Sequence, residues 1–318
     1  MKLGKIYETV IKKGIDFDPR GKEQIEKHLK LQREVYDELK GDKKELFDRE
    51  KLTNPFADTR ILFGDTELKV KKVLVGIDIE IGEVVLADRL KQEGKEIDLI
   101  IAHHPEGRAM ANFYEVMHMQ ADILNKFGVP INVAEGILEP RIKEVSRRVM
   151  PANYNRTVDA ARLLGIPLMC VHTPSDNAVT NYLQKELDNK KPEYVKDVLD
   201  FLNNIPEYRL SQADQSTPAI LAGSEKKRAG KIFVDMTGGT GGSKEAFEKL
   251  SRTEVGTIVG MHISEDHLKE AEKNHINVII AGHMSSDSLG MNLMLDEILK
   301  KEGIEVIPCS GFTRIARI

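Results

Sequence analysis

Three short clusters in this sequence carry the residue types that hold divalent metals: His103-His104-Pro105, His172-Thr173-Pro174-Ser175-Asp176 and His283-Met284-Ser285-Ser286-Asp287. Imidazole nitrogen and carboxylate oxygen suit zinc, iron, manganese or cobalt, and no thiolate lies within the clusters. Two ions about 3.5 to 4 Å apart need a bridging carboxylate and terminal imidazoles, and such a pair readies a water for attack near neutral pH. Asp287 is the natural bridge. Adjacent side chains of an extended strand face opposite ways, so His103 and His104 serve one site only if the backbone turns between them. Pro105 favours that turn by keeping His104 extended. His283 and Asp287, four residues apart, share a face of any helix that begins there. Each motif also has an ordinary reading. Paired histidines are commonly incidental, His172 can cap a loop, Thr173, Ser175 and Asp176 are common N-cap types, and Asp287 can sit on a helix dipole.

Their shared placement favours the metal reading over the ordinary ones. Each cluster follows an apolar run with the look of a strand covered on both faces: 97–102 (IDLIIA), 167–171 (PLMCV) and 277–281 (NVIIA). Ligands of open α/β sheets gather at the carboxyl ends of such strands. If the three strands are neighbours, the clusters meet in one crevice.

The remaining pattern supports an α/β chain. Residues 1–53 are strongly charged, with Ile25, Leu29, Leu31, Val35 and Leu39 near helical spacing, and read as two or three surface helices. Asn54-Pro55 ends that pattern. A strand at 72–79 (KVLVGIDI), a helix at 83–92 and the 97–102 strand form a βαβ unit. A further helix runs from Pro105 towards Phe127, and its face carries His118 and Asp122, four apart, which can line the site or simply pair at the surface. Another helix-strand unit covers 157–171. Residues 185–231 turn polar, with Pro192, Pro206 and Pro218, and suggest a domain junction. Strand 231–236, helix 243–250, strand 256–260 and helix 264–274 form a second α/β set. The expectation is two α/β domains, the second inserted in the first: a helical extension at 1–53, a metal-binding domain at 54–190 and 277–318, and an insert at 191–276. The turn Thr237-Gly238-Gly239-Thr240-Gly241-Gly242 can cradle a phosphate, but it matches neither glycine-rich nucleotide motif, and a tight βα turn is the more economical reading. Arg108, Arg314 and Lys244 are candidate anion contacts that spacing alone does not bring to the metal clusters.

Composition narrows the function classes. A chain of 318 residues with a net charge of −4 has no overall attraction for nucleic acid or an anionic membrane. No apolar stretch approaches the roughly 20 residues that span a bilayer, and charges fall within the first 13 residues, where a signal peptide needs an apolar core. A cytoplasmic location is expected. The two cysteines, Cys170 and Cys309, exclude a disulfide framework and a four-thiolate zinc site, and Cys170 reads as a buried strand residue.

Together these motifs resemble the dinuclear metal-centre hexameric protein family, the NGG-one-interacting-factor-three-like proteins also described as GTP cyclohydrolase I type 2 homologues. The similarity runs from about Asp58 to the C-terminus through Ile61-Leu62-Phe63-Gly64-Asp65, the strand ending in Asp78, Leu99 to Pro105 (LIIAHHP), His172 to Asp176 (HTPSD) and Gly282-His283 with an acid four residues on. The resemblance implies two divalent ions per chain held by His103, His104, Asp176, His283 and Asp287, with Asp287 bridging and His172 close by without ligating. It also implies a ring-shaped homohexamer. The family usually has glutamate where this chain has Asp287, one methylene shorter, and Glu106-Gly107-Arg108 replaces apolar residues after the paired histidines. The function expected is metal-dependent hydrolysis of a small, possibly phosphate- or nucleotide-containing substrate by an activated water. The alternative is a non-enzymatic metal-binding regulatory or scaffold protein acting through partners.

Overall fold

Among the described residues, the apolar runs form nine strands in two sheets. The computed structural model describes residues 1–299 and 303–318. The strands are β1 (Arg60–Phe63), β2 (Lys72–Gly76), β3 (Leu99–Ala102), β4 (Leu168–Cys170), β5 (Ala219–Ala222), β6 (Lys231–Asp235), β7 (Val255–Gly260), β8 (Asn277–Ile280) and β9 (Glu305–Cys309). The first sheet has the order β1-β4-β3-β2-β9 and the second β5-β8-β7-β6. Within each, all neighbours run parallel except one edge strand: β1 lies antiparallel to β4, and β5 antiparallel to β8.

β8 therefore differs from the expectation. The run at 277–281 was expected beside β3 and β4; it pairs instead with β5 and β7 in the second sheet. A four-residue apolar strand bears no mark of its partner, and β5 lies inside the segment that reads as a polar junction. The chain returns to the first sheet only at β9, which pairs with β2. The helix Ile131–Val149, from the segment assigned to the metal-binding domain, likewise packs its apolar face with Phe233, Ile258 and Val278 of the second sheet.

The two sheets share a plan. β1 to β4 and β5 to β8 have the same order and the same antiparallel edge. Ile61-Leu62-Phe63-Gly64 stands eight residues before Lys72-Val73-Leu74-Val75, as Ile220-Leu221-Ala222-Gly223 does before Lys231-Ile232-Phe233-Val234. Gly64 and Gly223 both turn the chain at positive φ, 134° and 93°. After β4 and β8 the sequence reads His-x-x-Ser-Asp in both halves and opens the helices Thr173–Lys190 and His283–Leu299. These helices pack on each other so closely that a Cβ on Gly290 would lie 2.5 Å from the Ser175 carbonyl oxygen.

The N-terminal segment is only partly a surface extension. In Leu3–Phe17, Leu3, Ile6 and Val10 recur at helical spacing and are buried with β2 and β3 residues in the first core. Gly14 abuts Pro174, and Asn177 Nδ2 donates to the Gly14 carbonyl at 3.2 Å, so this helix buttresses helix 173–190. Helix Lys22–Glu38 fits the expectation of a surface helix: Ile25 is buried, while Leu31 and Val35 are 55% and 42% exposed. The expected helix from Pro105 is broken into Gly107–Ala111, a 3-10 segment Phe113–His118 and Met119–Lys126.

Candidate metal centre

β3, β4 and β8 end where the three clusters begin, and the clusters meet. The backbone bends at His103 and His104, whose N–H groups donate to the Gly76 and Ile77 carbonyls at 2.9 and 3.0 Å. Both imidazoles then face the same space, with ring centres 5.1 Å apart. His104 and His283 rings, from different sheets, are 5.3 Å apart.

Asp287 stands between them. Its Oδ1 is 3.5 Å from His103 Nε2, and its Oδ2 is 3.5 Å from His104 Nε2 and 3.4 Å from His283 Nε2. Asp176 Oδ1 is also 3.5 Å from His103 Nε2. The side chains thus fall into two groups that share one carboxylate: His103, Asp176 and Asp287 on one side, His104, His283 and Asp287 on the other. His172, with His103 and His104, makes a third grouping, and its Nε2 is 3.8 Å from Asp176 Oδ2.

Three second nitrogens are anchored, which fixes where each Nε2 points. His103 Nδ1 lies 3.1 Å from the Val171 carbonyl, His104 Nδ1 2.6 Å from Asp78 Oδ1, and His172 Nδ1 2.8 Å from Asp58 Oδ2. Metal-ligating histidines are typically oriented in this way. Thr173 Oγ1 also donates to Asp58 Oδ2, at 2.6 Å. Asp58, Asp78 and His262 are the participants that sequence reading passed over. Asp78 follows β2 by two residues, and His262 follows β7 by two, packing its ring edge-on to His283 at 5.0 Å. The strand-end rule that found the other histidines applies equally to both.

The charge balance calls for a cation. Both oxygens of Asp287 and Oδ1 of Asp176 are buried without a hydrogen-bond partner among the described residues, an arrangement that is costly unless something positive joins them. Burial, together with the neighbouring charges of Asp287 and Asp58, pushes the Asp176 carboxyl well above its ordinary range. Burial acts the same way on Asp287, but His103, His104 and His283 outweigh it and hold that carboxyl far below its ordinary range. Burial lowers His103, whereas at His104 the neighbouring Asp287 and Asp78 carboxylates overcome burial and raise it. Two atoms each about 2.1 Å from one ion, a tetrahedral angle apart, are about 3.4 Å from each other. The nitrogen-to-oxygen separations of 3.4 to 3.5 Å match that spacing. The donor set fits divalent metal.

The other candidates lie elsewhere. His118 is exposed and stands outside these groups. Arg108 pairs with Glu50, and Arg314 is 2.5 Å from Asp296 in a network that ties down the C-terminal segment. Lys244 does reach the site's surroundings: one cavity of about 800 Å³ is lined by His103, Asp176, His283 and Asp287 and also by the 239–244 segment. Asp235, the last residue of β6, and His262, two residues beyond β7, line the same cavity.

Fold and cluster define a two-sheet α/β protein with a buried histidine and aspartate group compatible with metal binding. Among solved structures, it is similar to a NIF3 superfamily protein from Sphaerobacter thermophilus, 27% identical with a TM-score of 0.69 over 80% of this chain and 91% of that one. Also matched are HcgD from Methanocaldococcus jannaschii in its reduced form (16% identity, TM-score 0.46, 78% and 87% covered) and a Bacillus cereus protein related to NIF3 (13%, 0.42, 88% and 95%). No protein-family model matches the chain, and no curated protein does. The resemblance to the NIF3 superfamily thus holds in the fold, on the strength of the Sphaerobacter structure.

Proposed function

We propose that the protein is a dinuclear divalent-metal hydrolase for a small, phosphate-containing substrate. The observation that carries this reading is Asp287, whose two buried oxygens face separate imidazole groups. His103, Asp176 and Asp287 would hold one ion, and His104, His283 and Asp287 the other. Ions held there would polarise a substrate oxygen and make water nucleophilic near neutral pH. His103 and His104, locked by Val171 and Asp78, keep the ligand nitrogens preorganised. The cavity admits a ligand of metabolite size, and His262 and Asp235 on its wall can accept or donate hydrogen bonds to the bound molecule. A homohexameric ring, implied by the sequence resemblance, belongs to the same proposal and is tested by light-scattering mass.

The test is the metal content of protein purified without chelator or affinity metal, followed by a hydrolase screen. About two ions per chain and turnover that Asp287→Ala abolishes support the reading. Protein that stays metal-free after exposure to zinc, manganese or iron defeats it. Two ions with no turnover, together with a cellular role that survives Asp287→Ala, move the case to a regulatory or scaffold protein.

A further inference from the structure

Part of the cavity lining is the glycine-rich segment after β6. Four of its carbonyls are committed: Gln120 Nε2 donates to Gly238 and Thr240 at 2.7 Å each, Arg141 Nε donates to Gly241 at 3.0 Å, and His267 Nε2 lies 3.1 Å from the Gly242 carbonyl. Its amides are not. Among the described residues, the N–H groups of Gly239, Gly241, Gly242 and Ser243 donate to no protein acceptor. Carbonyl dipoles that would repel an anion are thereby neutralised, while four donors remain uncommitted on a segment that lines the cavity.

The glycines have different reasons for being there. A Cβ on Gly238 or Gly242 would strike the Gln120 side chain, at 2.7 and 2.3 Å, and one on Gly239 would meet Val116 at 2.8 Å. Gly241 meets nothing within 4 Å and has no positive φ. Neither packing nor a positive φ requires glycine at 241, and a residue without a side chain leaves the main chain there open to close approach by a ligand. Lys244 adds a cation whose partner, Asp266 at 3.3 Å, forms an exposed pair of the kind that is worth little and readily exchanged.

We propose that residues 239–244 bind a phosphate group of the substrate, through the free amides, the Ser243 hydroxyl and Lys244. This rests on the hydrolase reading and narrows it: the phosphate is held by cavity residues distinct from the metal-ligand cluster. The substrate class is a phosphorylated small molecule. Binding energy from the phosphate can position the reacting centre.

The probe is inorganic phosphate, titrated calorimetrically into the full chain in wild-type, Gly241→Val, Lys244→Ala and Asp287→Ala forms. Circular dichroism checks folding, and elemental analysis counts metal. Gly241→Val and Lys244→Ala are each expected to weaken phosphate binding about tenfold or more with unchanged metal content, as loss of charge-assisted hydrogen bonds would. Asp287→Ala is expected to retain it within about threefold, whatever metal it has lost. Phosphate binding that vanishes in Asp287→Ala and persists in the two loop variants places the anion on the ions and overturns the proposal, as does a wild type that binds none. Because the metal count is read separately, a metal-free wild type that still binds phosphate through Gly241 and Lys244 retains the cradle while the hydrolase reading falls.

Discussion

The two halves that share a strand plan treat their carboxyl edges in opposite ways. In the first, imidazoles are braced from behind: His103 by Val171, His104 by Asp78, His172 by Asp58. In the second, the positions two residues beyond β6 and β7 hold Thr237 and His262. Thr237 turns away to Asn177 at 2.7 Å, and His262 keeps a ring contact with His283. His103, His104, His172 and Asp176 stand on the braced edge, while the second edge contributes His283 and Asp287 and opens into a cavity lined by the glycine-rich segment. The candidate ligand groups draw on both halves, and the duplicated plan differs in that only the first half braces its imidazoles from behind.

That contrast can be broken by mutation. Asp287→Ala should have the largest effect: one carboxylate serves both groups, so both ions should be lost, as elemental analysis would read. Asp78→Ala should keep the ions but weaken binding about tenfold, measured by competition with a chelator, because His104 loses its brace. Gly290→Ala should force helices 173–190 and 283–299 apart and lower stability by about 1 to 3 kcal/mol in denaturant titration. His262→Ala should be the mildest for metal, leaving affinity within about threefold while changing KM or turnover. Loss of metal in His262→Ala would erase the distinction between the halves, and normal metal affinity in Asp78→Ala would show that bracing is incidental.

Much of the site could be read from the sequence, because metal ligands on an α/β scaffold must stand at strand ends and the apolar runs mark those ends. His103, His104, Asp176, His283 and Asp287 come together from positions scattered over more than half the chain, with His172 beside them. The sheet to which β8 belongs could not be read, since pairing is decided by β5, a short edge strand in polar sequence. Nor could the braces: an aspartate that orients a histidine looks like any other until its partner is placed. Charge density hid the burial of Leu3, Ile6 and Val10, because lysines and glutamates between them dominate the composition while the apolar stripe faces the core. His118 shows the converse, an i,i+4 pair with Asp122 that the fold leaves at the surface.

The pairing of helices 173–190 and 283–299 also sets a schedule. A growing chain displays His103, His104, His172 and Asp176 well before His283 and Asp287 are made, so the early chain presents imidazoles and a single acid but no shared carboxylate. On the proposed dinuclear reading, secure capture of two ions would wait until the second helix has been synthesised and has docked through Gly290 against Ser175. Metal loading would then report that synthesis of both halves is complete, and a truncated or misdocked chain would be left with only part of the candidate ligand set.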